Sequence, residues 1–155
     1  MDFGFRIPDP LRLRLCILAS SFWLLTSLVI LSCKDPYGYE PFDPTKPDPP
    51  AAPILQEPTN GKQLDNYAYP QNVTLKWKSV AGTRYYQIEV YSDSVLTPEN
   101  LQQPLISDIY STQRAVTFYD HGDYYWRVRA YSPNWNWYTG WSQVWQFWLP
   151  DPAAR

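Results

Sequence analysis

The chain has 155 residues, a formal net charge of −2, one His and two Cys. That length suits one compact domain, the charge offers nothing to a phosphate backbone, and the His and Cys count is too low for a zinc-type ligand set. Nucleic acid is therefore not an expected partner, and neither a metal nor a cofactor is expected. The unusual figure is aromatic: 8 Trp, 13 Tyr and 6 Phe, enough to bury large area in a short chain.

Residues 1–14 carry Arg6, Arg12 and Arg14, and residues 15–31 read LCILASSFWLLTSLVIL with no charge. A basic start followed by an apolar run of this kind predicts a secretory signal peptide over residues 1–32. The run ends Ile30-Leu31-Ser32-Cys33, which resembles the lipobox of bacterial lipoproteins: an aliphatic residue, a small residue, then the Cys. The resemblance implies cleavage before Cys33 and attachment to a membrane through acyl chains on that residue. With Lys34 rather than Asp after the Cys, it implies an outer-membrane lipoprotein, on the periplasmic or the cell-surface side. A single-pass helix is the other reading of the apolar run, whose length lies at the lower limit for spanning a bilayer. Cleavage would also remove Cys16 and leave no partner for a disulfide.

Residues 33–52 form the predicted linker. Seven of the twenty residues from 34 to 53 are Pro; each fixes φ and lacks an N–H, so an extended stalk of ~3.1 Å per residue is expected. Tyr37, Tyr39 and Phe42 interrupt it, and docking back on the domain or sitting at the membrane interface are both open to them.

From residue 53 to residue 149 the pattern alternates with period two. Val73, Leu75 and Trp77 share one face of residues 72–77. Tyr86, Ile88 and Val90 share one face of 85–91, and Val116 and Phe118 one face of 114–118. In residues 124–130 the inward set is Tyr124, Trp126, Val128 and Ala130; Tyr125, Arg127, Arg129 and Tyr131 point outward. In the last run, residues 142–149, Trp145, Phe147 and Leu149 alternate with Val144, Gln146 and Trp148. Turn signals separate these runs at Asn60-Gly61, Ala81-Gly82, His121-Gly122 and Pro133-Asn134. Short alternating strands between such turns predict an all-β sandwich of about seven strands. One short helical turn is expected near residues 96–105, and residues 150–155 form a tail.

Pro58-Thr59-Asn60-Gly61, Val73-Thr74-Leu75-Lys76-Trp77, Tyr86-Gln87-Ile88-Glu89-Val90, Tyr124-Tyr125-Trp126-Arg127-Val128-Arg129-Ala130 and Trp141-Ser142…Phe147 together resemble a fibronectin type III domain, an immunoglobulin-like β-sandwich. The resemblance covers residues 53–149. It implies one sheet of strands A, B and E and another of C, C′, F and G, with Trp77 as the core Trp of strand B and Tyr124 as the corner Tyr opening strand F. Residues 92–113 are longer and less regular than that pattern.

No catalytic residues are expected. His121 lies in a turn, and the acidic residues are scattered with no converging pair. The candidate binding residues are Trp135, Trp137 and Tyr138, in the loop Ser132-Pro133-Asn134-Trp135-Asn136-Trp137-Tyr138-Thr139-Gly140. Large rings beside Asn amides suit a sugar face or a protein hot spot; equally, the rings can fold back over strand C or the stalk. The outer-face Arg127, Arg129, Glu89 and Tyr residues suggest cross-strand ion pairs and cation–π packing. The expected function is that of a non-enzymatic lipid-anchored envelope protein whose module binds a protein or a carbohydrate. The alternative is a structural subunit with its aromatic surface buried in a larger envelope complex.

Cys33→Ser should block cleavage and acylation. Intact-mass and detergent-partition measurements on membrane fractions should find the wild type at the acylated mature mass and the variant as uncut precursor. A wild-type pool that keeps its full N-terminus would contradict the lipobox reading.

Overall fold

The structure is a computed structural model that describes residues 42–102 and 104–154. The signal peptide, Cys33 and the first part of the linker lie outside the described residues. One compact unit comprises Pro41–Arg155.

Eight strands follow one another: β1 (Leu55–Glu57), β2 (Lys62–Gln63), β3 (Gln71–Trp77), β4 (Tyr85–Tyr91), β5 (Ile106–Ile109), β6 (Gln113–Phe118), β7 (Gly122–Tyr131) and β8 (Trp145–Leu149). They form two sheets, β1-β3-β6 and β2-β8-β7-β4-β5. The fold is the expected β-sandwich of fibronectin type III type: β1, β3 and β6 stand as A, B and E, and β5, β4, β7 and β8 as C′, C, F and G. Pairing is antiparallel throughout except for β2, which lies parallel to β8. The chain therefore leaves one sheet after β1 and adds its next short strand to the edge of the other.

The inward sets are those the alternation predicts. Val73, Leu75, Trp77, Tyr86, Ile88, Val90, Val116, Phe118, Tyr124, Trp126, Val128, Ala130, Phe147 and Leu149 form one buried cluster. Period-two alternation puts every second residue on the same face, and one buried face fixes the register of each strand. Rings interlock across the two sheets: Trp77 meets Tyr86 edge-on with centroids 5.3 Å apart, and Phe118 lies 4.5 Å from Tyr124 and 5.4 Å from Phe147. The Tyr124 hydroxyl donates to the Asp120 carbonyl at 2.9 Å, tying the β6–β7 corner, and burial pushes its pKa up to about 12.

The short helical turn expected near residues 96–105 is a 3-10 turn at Pro98–Asn100, followed by a bridge from Leu101 to Tyr91 and by β5. Two features differ from the sequence reading. The last strand begins at Trp145 rather than at residue 142, and residues 139–142 hydrogen-bond to β7 through side chains as well as backbone. Tyr85, Gln87, Tyr91 and Tyr131 lie on the outer side of their strands and are nevertheless buried.

The indole nitrogens of Trp77 and Trp126 are buried without a hydrogen-bond partner among the described residues. Both rings therefore act as volume, not as polar connectors. Trp126→Ala should cost about 3–5 kcal/mol in urea denaturation. Trp126→Phe should cost less than half as much, since it fills most of the space and removes an unsatisfied donor. Equal losses would show that the indole N–H has a role that the packing lacks.

Candidate functional site

The outer face of β4 and β7 is covered by the chain that follows β7. Thr139 N–H donates to the Ala130 carbonyl and Ser142 N–H to the Val128 carbonyl, at 2.9 and 2.8 Å. In return the Ala130 and Val128 N–H groups donate to the Thr139 and Ser142 hydroxyls, at 2.9 and 3.0 Å. Two hydroxyl residues three apart thus continue the ladder without a regular strand, and carry Tyr138 and Trp141 onto the sheet.

There they meet the arginines. Trp141 has the guanidinium carbons of both Arg127 and Arg129 4.5 Å from its ring centre; Arg129 lies 4.1 Å from Tyr138, and Arg127 5.8 Å from Tyr91. Cations and rings therefore alternate in contact as Tyr91, Arg127, Trp141, Arg129, Tyr138. Arg127 is neutralised by Glu89, whose Oε2 accepts from Nε and lies 2.7 Å from Nη2. The Tyr91 hydroxyl donates to the same oxygen at 2.8 Å, and burial and that contact raise the Tyr91 pKa. Arg129 instead donates through Nε to the amide oxygen of Gln87 at 2.8 Å, and burial lowers its pKa. Gln87 is oriented by donating to the Ser107 hydroxyl at 3.2 Å. The cross-strand ion pair and cation–π packing expected of this face are present, with Trp141 as the bridging ring that the strand pattern did not assign.

The three candidate binding residues take different places. Tyr138 is only 3% exposed. Its hydroxyl lies 3.0 Å from that of Tyr85, and its ring packs 4.9 Å from Tyr131. It props the loop from beneath and presents no open face. Trp135 is half-buried and packs against the sandwich core. It also covers the β3–β4 turn, where its ring lies 3.6 Å from where a Cβ on Gly82 would stand. That is an ordinary contact; it is the φ of +79° at Gly82, a conformation side chains rarely adopt, that makes the turn favour glycine. Trp137 is half-buried with its ring 5.6 Å from Tyr138 and 6.2 Å from Phe42. Trp137 and Tyr138 are thus together, and Trp135 faces another way.

Phe42 belongs to the predicted stalk, and it is not alone at the loop. Asn136 accepts from Asp43 N–H through its carbonyl and donates its own N–H to the Pro47 carbonyl, both at 2.9 Å. Its side-chain amide donates to the Asp48 carboxylate. The segment between is a turn: the Thr45 hydroxyl and N–H both donate to the Asp43 carboxylate, and Lys46 pairs with it at 3.2 Å. Those hydrogen bonds from Thr45 hold the Asp43 carboxyl below its ordinary range. Residues 42–48, expected to project as stalk, therefore lie on the loop. The prolines dictate extension, but Asn136 offers a donor and an acceptor at the spacing that the turn requires.

Elsewhere, His121 and Asp151, with side chains 54% and 44% exposed, stand 4.0 Å apart. Among the described residues no group of three His, Cys, Asp or Glu side chains is placed to hold a metal ion. A groove of about 430 Å³ runs between residues 51–55 and 141–145, walled by Trp141 and Trp145.

Solved structures with a similar course of chain include an Fn3-like protein from Clostridium thermocellum, with 21% identity over 67% of this chain and 97% of that one and a TM-score of 0.41. Two human domains follow: the fibronectin type-III domain of fibronectin type III domain containing protein 3, with 16% identity over 68% and 88% and a TM-score of 0.38, and the fn3 domain of the collagen alpha-1(XX) chain, with 15% identity over 69% and 88% and a TM-score of 0.40. No family model and no curated protein matches the sequence.

Trp141→Ala should cost roughly 2–3 kcal/mol, the loss of two half-buried cation–π contacts. A double-mutant cycle with Arg129→Met should return a coupling of about 1 kcal/mol. A coupling of zero would show that the ring and the guanidinium are neighbours without attraction.

Proposed function

We propose that the protein is a non-enzymatic, lipid-anchored module of the bacterial cell envelope, held at the outer membrane through Cys33, that recognises a protein or carbohydrate with the loop end of its sandwich. The contact surface is Trp137 with Phe42 beside it, and Tyr138 supports it from below; Trp135, a candidate from the sequence, packs over the β3–β4 turn instead. One observation carries the reading: Phe42 is 58% exposed while held in ring contact with Trp137. A large apolar side chain fixed in water by structure on one side is the usual form of an unfilled contact. The lipobox at Ile30-Leu31-Ser32-Cys33 supports the anchor, and the absence of converging acid, base and nucleophile from the sequence pattern supports a binding role over a catalytic one.

Residues 33–155, immobilised as wild type, Trp137→Ala and Tyr119→Ala, should be compared on a glycan array and against envelope extracts. Tyr119 is an exposed ring just before β7, at the end of the sandwich opposite the loop. The wild type and Tyr119→Ala should retain the same ligand, and Trp137→Ala should weaken it by about 2 kcal/mol or more, as central aromatic anchors do. Capture that is unchanged by Trp137→Ala would overturn the assignment.

A further inference from the structure

The loop end is already in contact with a peptide of defined chemistry, the protein's own residues 42–48. Asn136 accepts from the Asp43 N–H and donates to the Pro47 carbonyl and the Asp48 carboxylate, and the ring contact goes to Phe42. Such contacts read the two ends of a backbone turn, one acid and one aromatic ring, and they are indifferent to which chain supplies them. The segment is also stiff. Pro44, Pro47, Pro49 and Pro50 fix φ, and the Asp43–Thr45 turn closes locally. Little conformational freedom is lost when it binds.

We infer that this end of the sandwich is a receptor for a Pro-rich, acidic segment folded as a turn, and that its occupant between molecules is the Phe42-to-Asp48 segment of a second copy. This deepens the reading of the loop as the recognition element and rests on it. Residues 49–53, Pro-Pro-Ala-Ala-Pro, join the segment to β1 and set a span of only ~15 Å. Exchange between two copies preserves every contact, so the balance depends on concentration and on that joint. Copies confined to one membrane surface would have the advantage of high local density.

Two measurements on the full chain in detergent micelles test this. The probe in the first is a labelled synthetic peptide of residues 42–52. The chain carrying Phe42→Ala and Asp48→Ala should bind it at least tenfold tighter than wild type, whose own segment competes. Adding Trp137→Ala should abolish binding while the melting midpoint stays near that of the double variant. In the second, copies with two different tags are co-expressed and solubilised. Wild-type copies should co-purify in a fraction that rises with expression level, and copies both carrying Phe42→Ala and Asp48→Ala should not. Equal peptide binding by wild type and double variant overturns the receptor. Peptide binding without co-purification overturns the second copy as occupant. Neither result bears on whether Trp137→Ala releases an envelope ligand, so failure of this inference is distinct from failure of the loop reading.

Discussion

Two arginines on the outer side of β7 impose the constraint that organises the loop end of the sandwich. Arg127 and Arg129 sit two residues apart on one face, and both are half-buried. Half-burial of a cation is costly without compensation. Arg127 finds a carboxylate in Glu89; Arg129 has an amide and two aromatic faces. Trp141 serves both, and to do so residues 139–142 must lie along β7. That course carries Tyr138 onto Tyr85 and Tyr131 and brings Asn136 and Trp137 to the end of the sandwich. The position of the loop is thus a consequence of charge on a strand.

The alternation made the sandwich legible. In β3, β4, β7 and β8 a period of two with one apolar face admits a single register, and Trp77, Trp126 and Phe147 are buried where it places them. The corner role of Tyr124 was legible through the resemblance, and its hydroxyl bond to the Asp120 carbonyl ties that corner. The outer face was not legible. Tyr85, Gln87 and Tyr131 occupy outward positions, and their burial depends on Tyr138, 53, 51 and 7 residues away, folding back over them. Local pattern carries no information on such a contact. The Arg and Tyr spacing signalled a cation–aromatic face, and the one missing partner, Trp141, was visible only as the first residue of a Trp-Ser pair.

The linker shows the same division. Prolines predict extension, and residues 42–48 form a short, Pro-stiffened turn. What the composition lacked was a destination. Asn136 supplies it with a carbonyl, an N–H and an amide, the kind of donor and acceptor set that Asn offers in loops. As a result Phe42, 13 residues before the start of β1, becomes part of the same surface as Trp137.

That union of tether and loop is the centre of the account, and a nuclear Overhauser spectrum of residues 41–155 tests it directly. The account predicts cross-peaks between the Phe42 ring and the Trp137 indole, together with Asn136 and Asp43 amides protected from exchange. Random-coil shifts throughout residues 42–50, with no contact from Phe42 to the loop, would contradict it and restore a free stalk.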